Sequence, residues 1–205
     1  KGNIKFTADN AAQVFLNGSP LEDLQGRTTT NDWRKPFEFK GLELQQGKNV
    51  LGIAAWDQES IAAISGQFKM PDGTEFGTTD WDEWLVYNAD KNPDKNNNGK
   101  QSGGNFLIEE TDPLKSFADR LRVPSDWNSD DFSIKNDLGG EWRKPAYVND
   151  QTKGAHYPWG NQTGDPTWIW YPNSESGGEE TTPKKAADNT WWKVNFALFR
   201  FEFEC

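Results

Sequence analysis

Apolar and polar residues alternate with a period of two along much of this chain, and that alternation constrains the fold more than any other feature. In residues 3–8, Ile4, Phe6 and Ala8 are separated by polar neighbours, the pattern of a half-buried strand. Asp9-Asn10 then turns the chain, and residues 13–16 run into Asn17-Gly18, a hairpin signal. Residues 37–39 and 42–44 alternate again, with a break at Lys40-Gly41. After a turn at 46–49, residues 50–56 form a continuous apolar run, which suits a strand buried on both sides. Residues 66–70 and 74–76 flank Pro71-Asp72-Gly73 as a further hairpin, and 167–171 form another strand. In the last strand, 193–204, Val194, Phe196 and Leu198 share one face, and Phe199, Phe201 and Phe203 take the other frame. Such a frame switch predicts a bulge, or passage from one sheet to the other. The total is about eight to ten strands, enough for two packed sheets.

Composition narrows the function classes. With 22 Lys and Arg against 32 Asp and Glu, the net charge is −10, and such a chain repels phosphate backbones, so no nucleic-acid partner is expected. Aromatic residues make up 14% of the chain, far above what a disordered acidic sequence carries. The 19 Gly and 11 Pro imply many turns. No stretch approaches the ~20 apolar residues of a membrane-spanning helix. One His and one Cys exclude most zinc sites and any disulfide within the chain. The chain starts at Lys1 without a signal peptide, which predicts a removed leader or a piece of something longer. Cys205 would pair with another chain, stay free without a role, or mark where processing stopped.

Residues 88–105 contain no large apolar side chain and read as a linker or long loop. A single helix is predicted at 113–122. Asp112 caps it, Pro113 suits its first position, and Leu114, Phe117, Ala118 and Leu121 fall on one face. Arg120 and Arg122 would then sit in its last turn, opposing the macrodipole. The expected fold is all-β: a jelly-roll-like β-sandwich of two antiparallel sheets with one short helix, as a single domain over 1–205.

Several strings together resemble a known family. Phe6-Thr7-Ala8-Asp9-Asn10, Val14-Phe15-Leu16-Asn17-Gly18, Leu44 with the string from Gly47 to Asp57, Asp72-Gly73 and Thr79-Asp80-Trp81 resemble the second half of the galactose-binding-domain-like jelly rolls. Trp142 with Lys144-Pro145-Ala146-Tyr147, Tyr157-Pro158-Trp159-Gly160, Trp168-Ile169-Trp170 and Phe199-Arg200-Phe201-Glu202-Phe203 resemble that family's opening strands. Residues 1–85 thus resemble the second half and 126–205 the first, so the order is reversed. The domain is then circularly permuted, with 86–125 as its new connection, or each unit of a longer array completes its neighbour. The family's short acidic-serine motif is not clear in this chain. The resemblance implies a sugar-binding or accessory module, with its site in loops at one end of the sandwich.

Sugar rings present an apolar C–H face ringed by hydroxyls, so their sites pair a flat aromatic with amides and carboxylates. Trp142, His156, Tyr157, Trp159, Asn161 and Gln162 offer that combination in loop-like sequence, although the Trp would serve equally to plug the sandwich ends. Trp168, Trp170, Trp191 and Trp192 lie in or beside strands and are expected in the core. Asp94, Asn96 and Asn98, followed by Gly99, match the first half of a calcium loop. Its twelfth position is Asn105 rather than Glu, so the segment reads equally as a flexible connector. Asn17-Gly18-Ser19 and Asn161-Gln162-Thr163 are glycan acceptor sequences, meaningful only in a secretory protein. His156 has no triad partner, and no carboxylate pair is singled out, so no enzyme activity is expected. Two functions stay open. One is a non-catalytic, lectin-like carbohydrate-binding module of an extracellular or cell-surface protein, with a glycan as partner. The other is a structural repeat of an extracellular assembly, with neighbouring copies of itself as partners and no small ligand.

Overall fold

The computed structural model describes residues 1–9, 11–30, 32, 35–56, 63–91, 111–132, 142–148, 168–172 and 196–205. Among the described residues, two antiparallel six-stranded sheets pack as a jelly-roll-like β-sandwich. The first sheet takes the order β10 (Ala146–Val148), β11 (Trp168–Trp170), β7 (Ala63–Lys69), β1 (Gly2–Asp9), β5 (Phe37–Leu42), with β8 (Glu75–Gly77) also paired to β7. The second takes the order β3 (Ser19–Pro20), β2 (Ala11–Leu16), β6 (Lys48–Trp56), β12 (Phe196–Glu204), β9 (Leu85–Asn88), with β4 (Thr29–Thr30) on β2. No helix among the described residues is long and apolar enough to cross a membrane.

The alternation seen in the sequence decides which side chains meet between the sheets. Ile4, Phe6 and Ala8 of β1, with Phe37, Phe39, Ile64 and Phe68, face Val14, Leu51, Ile53, Phe199 and Phe201 in one buried cluster. Aromatic rings close it: Phe76 stacks on Phe201 at 4.6 Å, Phe68 meets Phe203 at 5.0 Å and Trp170 meets Phe199 at 5.5 Å. The break at Lys40-Gly41 is a bulge within one strand. Between Gly2↔Leu42 and Ile4↔Phe39, β1 advances two residues while β5 advances three.

β12 departs from expectation. Its register against β6 runs without a shift from Phe196↔Trp56 to Glu204↔Lys48, so it neither bulges nor changes sheets. Both of its faces are buried instead. Ala197, Phe199, Phe201 and Phe203 point into the sandwich, while Phe196 and Leu198 join a second apolar cluster. A strand clad on both sides reads as two overlapping frames. β6 is clad in the same way, as its continuous apolar run predicted.

The cladding comes from the predicted helix, through Phe117 and Leu121, and from Trp127, Phe132 and Trp142 in the segment that follows. The helix is shorter than 113–122: it spans Pro113–Ser116, with the Asp112 side chain accepting from the Lys115 N–H. Beyond Phe117 the chain tightens into turns, in which Ala118 donates to the Lys115 carbonyl and Arg120 to that of Phe117. Ala118 is exposed, so Phe117 and Leu121 carry the buried contacts. Arg122 lies past the helix and its guanidinium donates to the Lys91 carbonyl, 3.0 Å away. The predicted loop also starts later than residue 88, since Asn88 closes β9 and Ala89 is fully buried and donates to the Phe196 carbonyl. A small side chain buries as readily as a large one when the backbone is paired.

Candidate functional site

Only Trp142 among the predicted sugar-binding residues lies within the described part of the chain. His156, Tyr157, Trp159, Asn161 and Gln162 lie outside it, as do the calcium-loop residues Asp94, Asn96 and Asn98, and Trp191 and Trp192. Trp168 and Trp170 are buried in the core as expected.

Trp142 packs into the outer face of the second sheet. It is 9% exposed, its ring lies 5.2 Å from Tyr87 of β9, and Phe132 meets it edge-on at 5.3 Å. Arg143 brackets it by exchanging two backbone hydrogen bonds with Val86, at 2.8 and 2.9 Å. The indole Nε1–H is buried and meets no acceptor among the described residues. A buried donor without an acceptor is costly, on the order of 1–3 kcal/mol, and such groups mark places where a water or ligand oxygen is welcome.

Beside it sits a feature the sequence reasoning missed. Arg200 projects from β12 into this apolar face and is 1% exposed. Its Nη1 donates to the Trp127 carbonyl at 2.7 Å, and its Nε and Nη2 donate to Glu202 Oε1 at 3.1 and 2.7 Å. The guanidinium also lies 4.9 Å over the Phe132 ring. Lys48 pairs with the same carboxylate at 3.1 Å. Burial pushes the Glu202 carboxyl up, but the hydrogen bonds from Arg200 and Lys48 outweigh burial and leave it below the usual carboxylate range. Trp127 in turn lies over Gly52 and meets Phe15 edge-on at 5.6 Å. A Cβ on Gly52 would stand 2.6 Å from the Asn128 Cβ and 3.1 Å from the Trp127 ring, so glycine is what lets this ring seat. The available signal was an Arg set between two Phe, with Glu202 two residues on, so that both charges fall on one face of the strand.

This arrangement fastens an outer layer to a sheet. Arg200 spends its guanidinium on Glu202 and the Trp127 carbonyl, and the aromatic rings are enclosed. Among the described residues, no three His, Cys, Asp or Glu side chains come together to hold a metal ion. A void of about 10 Å³ lies between the sheets, lined by Phe6, Ile53, Phe68 and Trp84 among others. Apolar and the size of one water, it is a packing gap and not a receptor. Leu24 is the one large hydrophobic residue exposed among those described, at 58%.

No protein-family model matches this chain, and neither a curated protein nor a solved structure matches it.

Proposed function

We propose that the chain is a non-catalytic carbohydrate-binding module of an extracellular or cell-surface protein, built on a galactose-binding-like jelly roll with its halves in permuted order. One observation supports this reading most: the join that such an order requires. β12 lies inside the second sheet, between β6 and β9, while β1 lies inside the first, and both feed one core cluster. Cys205 and Gly47 exchange backbone hydrogen bonds at 2.9 and 3.0 Å. Phe68, which packs under Gly2, touches Phe203. In this reading a glycan stacks on Tyr157 and Trp159, with His156, Asn161 and Gln162 meeting its hydroxyls. Calcium is the ion that Asp94, Asn96 and Asn98 would hold in this reading.

Retention of the intact chain on a glycan array and on insoluble polysaccharides, with calcium and with a chelator, tests this. Binding to a sugar class that Trp159→Ala abolishes without altering the melting temperature is the expected result. A second reading, a structural unit with no small ligand, is favoured by the enclosure of Trp142. Absence of retention on every sugar, alongside self-association in solution, would replace the first reading with the second.

A further inference from the structure

Asn17 and Gly18 are the two central residues of the β2–β3 hairpin, with φ of 50° and 81°. Both angles are positive, as a tight two-residue hairpin requires, which is why this pair stands there. The Asn17 side chain turns away from its own turn and onto β6. Its Oδ1 accepts from the Val50 N–H at 2.7 Å, and its Nδ2 donates to Asn49 Oδ1 at 3.0 Å. Asn49 is fully buried and extends the connection. Its Oδ1 also accepts from the Gln45 N–H at 3.0 Å, and its Nδ2 donates to the carbonyls of Gln45 and Gly47 at 2.9 and 3.0 Å. Gly47 is the residue that clasps Cys205, just beyond β12. Two carboxamides thus tie the ends of three neighbouring strands, β2, β6 and β12.

An asparagine followed by glycine is the least hindered sequence for amide loss, because no side chain shields the attacking nitrogen. The Gly18 backbone nitrogen bonds to Asn17 Cγ, the Cγ–Nδ2 bond breaks, and ammonia leaves with the proton that the nitrogen gives up. Water then opens the cyclic imide, leaving aspartate or isoaspartate at position 17. In the fold, both polar atoms on Cγ are held by β6, which keeps Cγ off the Gly18 nitrogen.

We infer that Asn17 is a latent deamidation site, guarded by Asn49, and that its conversion unclasps this end of the sandwich. Aspartate removes the donor and sets an oxygen against Asn49 Oδ1. Isoaspartate adds a methylene to the backbone of a two-residue turn.

The full-length chain is aged in mildly alkaline buffer, folded and in urea, and conversion at residue 17 is followed by peptide mapping with isoaspartate detection. Folded chain should convert at least about tenfold more slowly than chain in urea, since reaction waits on local opening. Asn49→Ser, checked for a native dichroism spectrum, should convert faster than wild type. Equal rates in folded and denatured chain would overturn the guarding, as would a folded Asn49→Ser that converts at the wild-type rate. Asn17→Asp reproduces one product and carries the second half of the test. Hydrogen exchange at the Gly47 and Cys205 amides should quicken in it, and unchanged exchange there overturns the unclasping. If Asn49→Ser does not fold, the urea comparison and Asn17→Asp still decide the two halves.

Discussion

The Asp23 carboxylate accepts from the backbone N–H groups of Gln25 and Arg27 at 2.9 and 2.8 Å, and from the Arg27 guanidinium at 2.7 and 2.6 Å. Arg27 in turn lies 4.7 Å over the Phe37 ring, so this acid ties a surface loop to the edge of the first sheet. Burial raises its pKa, but the hydrogen bonds from Arg27 and Gln25 prevail and hold it below the ordinary 3.8. A carboxyl depressed by folding contributes stability above its unfolded value, and that contribution is lost as pH falls through the folded value. Asp23→Asn should therefore lower the urea midpoint near neutrality and have little effect well below pH 3.8. A gap between the two proteins that stays constant with pH would show that the charge is not what holds the loop. None of this could be read beforehand, because Asp23 and Arg27 stand in a polar stretch without a period. Nor could the burial of Arg200, since an Arg in a strand carries no hint of which distant carbonyl it will meet.

Elements with one wet face were the legible ones. β1, β7 and β8 follow from alternation and turn residues alone, while β2 and β6, buried along nearly their whole length, follow from apolar residues set beside turns. β12 was located but its second frame was misread, because a face clad by a distant segment looks the same as a slipped register. In the cladding, Phe117 and Leu121 keep a helical spacing of four although the helix ends at Ser116, while Trp127 and Phe132 lie in irregular chain with no period to announce them. A four-residue helix has too little length to impose a period of its own. The seat of that layer makes a sharp prediction. Gly52→Ala sets a methyl against Asn128 and Trp127 and should destabilise the protein by about 1–3 kcal/mol, the usual cost of overpacking. The loss should appear as faster hydrogen exchange and stronger tryptophan quenching in the outer layer, with the sandwich core unchanged. Wild-type stability for that variant would mean that Trp127 does not press on β6. For the candidate site the sequence was less informative. It supplied residue types suited to a sugar, and the one that falls in described chain, Trp142, is enclosed because Tyr87 and Phe132 offer it a better surface than water.

For the molecule as a whole, the permuted order is the claim on which the functional reading stands. The last strand is an interior one: β12 pairs with β6 along its full length and with β9 along part of it, and Phe199 and Phe201 lie at the centre of the core. Each such ring contributes ~1.5–3 kcal/mol against a total of ~5–15 for a domain, so the sandwich cannot do without the strand. Its end is clasped at Gly47 on the β5–β6 turn, and Phe203 near that end meets Phe68, which packs under Gly2. If the two halves of the chain are those of a jelly roll in reversed order, the unpermuted sequence should be recoverable. The most direct measurement is the cooperative melt of a chain in which residue 205 is joined to residue 1 by a short flexible linker and new ends are opened between 99 and 100. The account predicts the same β-rich dichroism spectrum and a single transition close to that of the parent. A rejoined chain that is unfolded, or folds only as an interlocked oligomer, would contradict it.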